Sequence, residues 1–264
     1  LKFDQSLMRK IPAAAPVVAT FKFMPKLSQR AELYSFNHVY MGAYTLSTKS
    51  YALPETTRYA LIDFSDEKML ACKNAQSQSH IKNFIENSPW QVLDFGMDTV
   101  LMIKGSKRDL SPLFEVNPSA LNGPDKSFKA YTADRQIKFE GFSMRMGQGD
   151  HADQIGITFY WKALKKPTVN YDLLLTLVDS SGKTVYEYHH PIGYRIRPAT
   201  DWQRSDRVAE HFWFCLPAGL PARPVEMRIG LGDTDKKQIV PFTGPLKGQL
   251  DPQGRARLDT LEPS

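Results

Sequence analysis

Segments between residues 155 and 231 show a strong alternation of side-chain character from one position to the next. The clearest one places apolar residues at every second position, namely Ile155, Ile157, Phe159 and Trp161. The same two-residue period recurs over residues 171–178, 184–189, 211–216 and 225–231. A period of two is typical of a strand with one buried face, so these segments predict an antiparallel β-sandwich. Residues 179–182 end in Gly182, which suits the turn of a hairpin between the second and third strands.

The first hundred residues follow a different pattern, in which short apolar strands alternate with helical spacing. Strands are predicted at residues 16–21, 32–36, 58–64, 90–95 and 99–103, with the last two forming a hairpin. Residues 24–30 and 79–88 are predicted to be helical, and the second of these stops near Pro89. Strands that alternate with helices predict a small α/β domain over residues 1–110.

The composition changes between these two parts and again near the C-terminus. Residues 111–126 contain Pro112, Pro118, Gly123 and Pro124, which is typical of a linker. The sandwich is predicted over residues 127–246, and residues 247–264 are polar enough to predict a fraying tail. The predicted fold class is α+β with two domains, a small α/β domain followed by an antiparallel β-sandwich.

The charge, the cysteines and the first residue of the chain each limit which kinds of protein this could be. The net charge is +6, but its basic residues are scattered and form no stripe, which argues against nucleic-acid binding. Cys72 and Cys215 are far apart in sequence, so two buried thiols and a disulfide both stay open. No apolar run approaches the roughly 20 residues of a spanning helix. Because the chain begins at Leu1 rather than Met, we expect a fragment or processed product whose missing N-terminal part carries the targeting information.

Several motifs in both halves of the chain look familiar together. In the first half they are residues 23–34, 59–63 and 99–104, and in the second half residues 160–163, 177–183, 198–202, 216–220 and 228–233. The first set resembles the soluble region of uncharacterised bacterial multi-pass membrane proteins related to GT-C type glycosyltransferases that use lipid-linked sugars, and the second set looks like the β-sandwich appended to many such proteins.

The resemblance implies an extracytoplasmic soluble region on the periplasmic or cell-surface side, tethered to the membrane in the full-length protein. It also implies contact with a glycan, a lipid-linked sugar or the glycosyl carrier. In GT-C enzymes the catalytic carboxylate lies in a loop between transmembrane helices, so the resemblance transfers no catalytic residue to this chain.

Aromatic rings beside polar groups are the first candidates for a sugar site, because a pyranose packs its C–H face on an exposed ring. Among Trp161, Trp202, Trp213 and Tyr194, the sequence favours Trp202 as the exposed ring, and Trp161 is expected in the core. The expected polar neighbours are Asp201, Arg195 and Arg197, with Tyr194 nearby. The two arginines are predicted to share one strand face and could instead bind lipid phosphates.

Acidic residues supply the remaining candidates. Asp63 ends a predicted sheet strand, where α/β folds often bind ligands, although a strand-end cap is the alternative. Asp150 and Asp153 could offer oxygen ligands to Ca²⁺, with a solvated acidic turn as the alternative. His189 and His190 are adjacent in a strand and should point to opposite faces, so they are not expected to share an ion.

The sequence contains no phosphate-binding loop of the Walker type and no Gly-x-Ser-x-Gly nucleophile motif. We therefore expect a non-catalytic soluble region of a membrane glycosyltransferase-like protein that binds or positions a glycan, a lipid-linked sugar or a partner. An independent secreted carbohydrate-active enzyme with a cleft between the domains is one alternative, since its paired carboxylates need no sequence proximity. A structural spacer without a ligand is the other.

Overall fold

A computed structural model describes residues 2–44, 47, 49–66, 75–118, 123–217, 225–236, 238–244 and 248–261. The chain divides into two compact units, residues 1–113 and 114–264. The described part is mostly β, with several antiparallel sheets arranged as in a β-sandwich. The division into two independent domains stays a prediction.

The first unit is built on one five-stranded mixed sheet with short helices. Its strands are β1 (Val17–Ala19), β2 (Leu33–Ser35), β3 (Tyr59–Asp63), β4 (Trp90–Gly96) and β5 (Thr99–Lys104), in the order β2-β1-β3-β5-β4. β1 is parallel to β2 and β3, whereas β5 is antiparallel to β3 and β4. The helices are α1 (Lys2–Arg9), α2 (Met24–Leu27), α3 (Phe36–Met41) and α4 (Ala75–Glu86).

Apolar side chains of α1 and α2 cover one face of this sheet. Phe3, Leu7 and Ile11 follow helical spacing and are all buried in a cluster that includes Leu61 and Leu101 of the sheet. A Cβ on Gly96 would lie 2.3 Å from the Phe3 ring, so a glycine is required where α1 crosses β4. The apolar side chains on one face of α1 are thus buried in the core of this unit.

The second unit contains two antiparallel sheets. The six-stranded sheet has β6 (Phe114–Val116), β7 (Lys126–Thr132), β8 (Ile137–Met146), β9 (Gln154–Ala163), β12 (Arg207–Cys215) and β15 (Phe242–Thr243), in the order β15-β7-β8-β9-β12-β6. The other sheet has β10 (Tyr171–Val178), β11 (Thr184–Pro191), β13 (Val225–Asp233) and β14 (Gln238–Val240), in the order β11-β10-β13-β14. β16 (Ala256–Leu261) also pairs with β13.

Aromatic contacts join the two sheets through their inner faces. Tyr186 and Tyr188 of β11 contact Phe214 and Phe212 of β12, with ring centroids 5.8 and 6.0 Å apart. The alternation of β9 places Trp161 inside with no exposed surface, as the sequence predicts. Side chains at the intervening positions of β8, β9 and β12 consequently form the outer face of the six-stranded sheet.

The hairpin between β10 and β11 also follows the sequence prediction. Asp179 accepts hydrogen bonds from the backbone amides of Ser181 and Lys183, and Gly182 takes a φ of +85°. A positive φ is readily adopted by glycine because it has no Cβ.

The structure differs from the prediction in three short segments. Residues 114–116 of the predicted linker form β6 beside β12, and residues 256–261 of the predicted tail form β16 beside β13. Residues 36–41 form α3, whereas residue 36 is predicted to end a strand and no element is predicted over residues 37–41. Each of these two strands pairs with one neighbouring strand, β6 with β12 and β16 with β13, and Ala256 and Leu258 of β16 are buried.

Candidate functional site on the outer face of the six-stranded sheet

The outer face of the six-stranded sheet carries polar and aromatic side chains in rows that cross three strands. One row joins Gly141, Tyr160 and Ala209 through direct strand pairing. Tyr160 is partly exposed and stands between two residues without bulky side chains. Gly141 and Ala209 are both buried, and the Pro124 side chain lies against Gly141, so Tyr160 is the member of this row that reaches solvent.

The next row contains Ser143, Thr158 and His211. Thr158 Oγ1 and His211 Nδ1 lie 2.9 Å apart, and His211 Nε2 lies 3.7 Å from a carboxylate oxygen of Glu115. Burial lowers the pKa of His211 below its usual value despite the opposing effect of Glu115. The imidazole is thus neutral at pH 7 and offers one donor and one acceptor.

A stack of side chains closes one end of this face. Trp213 pairs across Gly156 with Arg145, and a Cβ on Gly156 would lie 2.8 Å from the indole. The His151 ring stacks on Trp213 at 4.3 Å with an interplanar angle of 20°, and the Arg145 guanidinium lies 5.1 Å from the indole centroid. Trp213 is therefore held rigidly and forms an aromatic and cationic wall rather than an open stacking surface.

Charged side chains lie at the end of this sheet face opposite Trp213. Glu140 accepts a hydrogen bond from the Lys138 ammonium at 2.9 Å and lies 3.1 Å from Nε of Arg207. Lys162 stands in the same row, between Lys138 and Arg207, and has no carboxylate partner among the described residues. This row therefore carries three cations against one carboxylate.

We call this surface the outer platform and define it as Glu115, Glu140, Ser143, Arg145, Thr158, Tyr160, Lys162, Arg207, His211 and Trp213. Alternate residues along a strand are about 7 Å apart, and neighbouring strands about 5 Å apart. The outer platform thus extends about 20 Å from Arg145 to Lys162. It combines a partly exposed ring, that of Tyr160, with hydrogen-bonding groups on both sides, as sugar recognition requires.

The structure corrects the predicted stacking ring. Trp202 has no exposed surface, and its Nε1 donates to the backbone carbonyl of Arg197 at 3.3 Å. Tyr194 is also fully buried, and its hydroxyl donates to the carbonyl of His211 at 2.6 Å. Both rings fold back into the unit because each finds a backbone acceptor for its polar atom there.

The two predicted arginine ligands do not share a strand face. Arg195 ends a 3-10 turn over Ile192–Arg195 and has a φ of +57°, while Arg197 follows the turn and lies 4.0 Å from Asp206. Asp201 ends the next turn, Ala199–Asp201, and is partly exposed. These residues are thus neighbours along the chain, but they surround no exposed ring.

Asp63 lies at the end of β3 and is engaged within its own unit. Its Oδ1 accepts the backbone amide and hydroxyl of Ser65, while Oδ2 lies 2.5 Å from the Lys22 ammonium. Burial alone would lower the pKa of Lys22, but Asp63 and Asp4 outweigh it, so this pKa lies above its usual value. The geometry matches the strand-end cap, with an added ion pair.

The predicted calcium ligands, Asp150 and Asp153, are exposed in the loop between β8 and β9. Among the residues that the structure describes, no group of three or more His, Cys, Asp or Glu side chains could hold a metal ion. His189 is exposed beside Glu187, whereas His190 is fully buried beside Glu210, so the two rings face opposite sides as predicted. Cys215 is partly exposed at the end of β12, and Cys72 lies outside the described residues, so both alternatives for the two cysteines stay open.

Tyr160 and Lys162 are the platform residues that sequence reasoning missed as a site, although it placed both on the polar face of β9. The available signal was an aromatic ring among outward positions of a strand whose inward positions are all large and apolar. In the described part of the chain, none of the helices has the length and apolar character needed to span a membrane.

No protein-family model matches the sequence, and no curated protein matches it. Three solved structures that match part of this chain are the C-terminal domain of wzt, chicken MD-1 complexed with lipid IVa, and a Niemann-Pick type C2 protein from Japanese carpenter ant. Their identities to this chain are 14%, 16% and 8%, with TM-scores of 0.30, 0.28 and 0.27. The matches cover 52%, 44% and 52% of this chain, and 76%, 86% and 98% of the respective structures.

Proposed function

We propose that this chain is a non-catalytic glycan-binding region and that the outer platform binds an acidic oligosaccharide. In this proposal it is the extracytoplasmic part of a membrane-tethered, glycosyltransferase-like protein, and it positions the glycan for the rest of that protein. The membrane tether and the location rest on the sequence resemblance alone. The binding function rests on the outer platform.

The observation that carries the proposal is the setting of Tyr160. Its ring is partly exposed between Gly141 and Ala209, with Thr158 and Lys162 two residues away along β9. An aromatic surface bordered by donors and acceptors suits a sugar ring, whose faces are apolar and whose edge carries hydroxyls.

The charge of the platform indicates the class of glycan. Its cationic side chains are Arg145, Lys162 and Arg207, with Lys138 beside Lys162 in the same row, whereas its carboxylate side chains are Glu115 and Glu140. Since Glu140 contacts both Lys138 and Arg207, Arg145 and Lys162 are left without a carboxylate among the described residues. Carboxylate or phosphate groups on a glycan would satisfy these two cations through charge-assisted hydrogen bonds.

Tyr160→Ala is expected to weaken binding of an acidic oligosaccharide about 10-fold, because an aromatic contact of this kind contributes about 1–2 kcal/mol. The measurement is isothermal titration of the chain with tetragalacturonate and with neutral cellotetraose. Lys162→Gln should weaken tetragalacturonate alone, since only that ligand carries carboxylates.

Tyr34→Ala and Lys183→Gln are the matched controls, because both change the same residue types outside the platform. They should leave both affinities within about twofold of the unmodified chain. Equal losses in the controls and in the platform variants would contradict the proposal, as would an absence of binding to any oligosaccharide in a panel. That second outcome would favour the structural spacer.

A further inference from the structure

A separate groove lies in the first unit between α1 and α2. It has a volume of about 480 Å³ and is lined by Met8 and Arg9 of α1, Lys26 and Leu27 of α2, and Gln29 and Arg30 just after α2. This volume lies within the range of about 300–1,000 Å³ that small-molecule sites occupy. The groove is independent of the outer platform, which belongs to the second unit.

The charged side chains among the described lining residues of the groove are all positive. Arg9, Lys26 and Arg30 line it, and none of its described lining residues is acidic. Arg9 and Lys26 are exposed, and neither has an ion-pair or hydrogen-bond partner among the described residues. Like charges that line one groove repel each other, and an anion between them would remove that repulsion.

Arg30 has a different role from the other two cations. Its guanidinium donates to the backbone carbonyls of Ile11 and Pro12 at 2.8 and 2.5 Å, and to Ala13 at 3.2 Å. Burial lowers the pKa of Arg30 below its usual value. Arg30 therefore fixes the wall of the groove, while Arg9 and Lys26 keep their donors available.

The groove also offers an apolar contact surface. Leu27 is buried at its base, and Met8 is partly buried against the apolar cluster under α1. A ligand seated here would place an apolar part on Met8 and Leu27 and an anionic part between Arg9 and Lys26. Arginine and lysine are the side chains best suited to phosphate, by forked hydrogen bonds and by point charge respectively.

We infer that this groove binds a phosphorylated small molecule with an apolar part, whose phosphate is held by Arg9 and Lys26. Neither the sequence motifs nor the outer platform assigns a ligand to this groove.

The test uses phenyl phosphate as the probe and compares the whole 264-residue chain with its Arg9→Gln/Lys26→Gln variant. We expect the variant to bind phenyl phosphate at least 10-fold more weakly, by titration calorimetry at low salt. Lys165→Gln/Lys166→Gln is the matched control, since these two lysines are exposed and lie outside the groove. The control should bind within about twofold of the unmodified chain, and phenol should not compete.

Three results would overturn the inference. Equal losses in the groove variant and the control would show nonspecific charge attraction, and unchanged binding in the groove variant would place the phosphate elsewhere. Tight binding to phosphatidylglycerol vesicles without binding to phenyl phosphate would assign the groove cations to a membrane surface instead. A melting temperature within about 2 °C of the unmodified chain confirms that both variants are folded.

Discussion

Glu210→Ala should lower the free energy of unfolding of the second unit by about 3–5 kcal/mol, because it removes a buried acceptor that three buried groups share. Glu210 and His190 have no exposed surface. One carboxylate oxygen of Glu210 lies 3.1 Å from His190 Nε2 and accepts the backbone amide of Gly193 at 2.5 Å. The other accepts Nε1 of Trp161 at 3.2 Å. Alanine would leave these three donors buried without an acceptor.

The same carboxylate holds an unusual turn. Gly193, Tyr194 and Arg195 have successive φ values of +71°, +53° and +57°. Two non-glycine residues in this region cost about 1–2 kcal/mol each, so the turn needs tertiary contacts to persist. Glu210 supplies one such contact through the amide of Gly193.

Chemical denaturation of the chain, followed by near-ultraviolet circular dichroism, measures this effect. Glu187→Ala is the control, because Glu187 lies in the same unit with an exposed side chain and, within the described part of the chain, forms an ion pair only with the exposed His189. The control should change stability by less than about 0.5 kcal/mol. Glu210→Gln keeps two acceptor lone pairs and the side-chain shape, so we expect it to cost less than Glu210→Ala. A loss below about 1 kcal/mol for Glu210→Ala would contradict the account.

Asp251→Asn should destabilise the second unit by about 2–3 kcal/mol at neutral pH, because its carboxylate accepts several hydrogen bonds from charged or buried donors. Its side chain has no exposed surface. Oδ2 accepts Nε of Arg255 at 2.6 Å and Nη1 of Arg228 at 3.1 Å. Oδ1 accepts the backbone amides of Gln253 and Arg255, both at 2.9 Å. Asp251 thereby ties the turn before β16 to β13.

This effect should depend on pH. Burial alone would raise the pKa of Asp251, but the amide and guanidinium of Arg255, together with Arg228, outweigh it and hold the pKa below its usual value. A carboxyl whose pKa is lowered by folding stabilises the folded state fully above its unfolded pKa of about 3.9. That contribution is lost as the pH falls through the lower pKa of the folded state.

The stability difference between the unmodified chain and Asp251→Asn should therefore be constant near neutral pH and shrink below about pH 4. Urea denaturation at a series of pH values measures it, and Asp235→Asn is the control because Asp235 is exposed in the same unit. A difference that grows as the pH falls would contradict the assignment.

Alternation in the sequence was sufficient to predict the central strands and their faces. Ile157, Phe159 and Trp161 are buried along β9 while Thr158 and Tyr160 face outward, because a strand must turn alternate side chains to opposite sides. Glu210 was missed, although its position between Val208 and Phe212 places a carboxylate among inward residues. Its partner Trp161 comes from another strand, and a local pattern does not show which distant donors will meet a buried acid.

The site could be predicted only in part for a related reason. Trp202 follows an acidic residue in a turn, and such a position says nothing about whether the ring folds back into the core. Tyr160 lies in a strand, and the alternation of side chains between the two faces of a strand is enough to place it outward. What the sequence does not show is the pairing register that sets Gly141 and Ala209 beside Tyr160 and leaves its ring accessible.

Backbone amide chemical-shift mapping with tetragalacturonate tests the outer platform most directly, because it locates the ligand without any substitution. The account predicts the largest shifts at Ser143 of β8, at Thr158, Tyr160 and Lys162 of β9, and at His211 of β12. Shifts confined to the turn at Asp201 and Trp202, or to residues of β10 and β13, would contradict it.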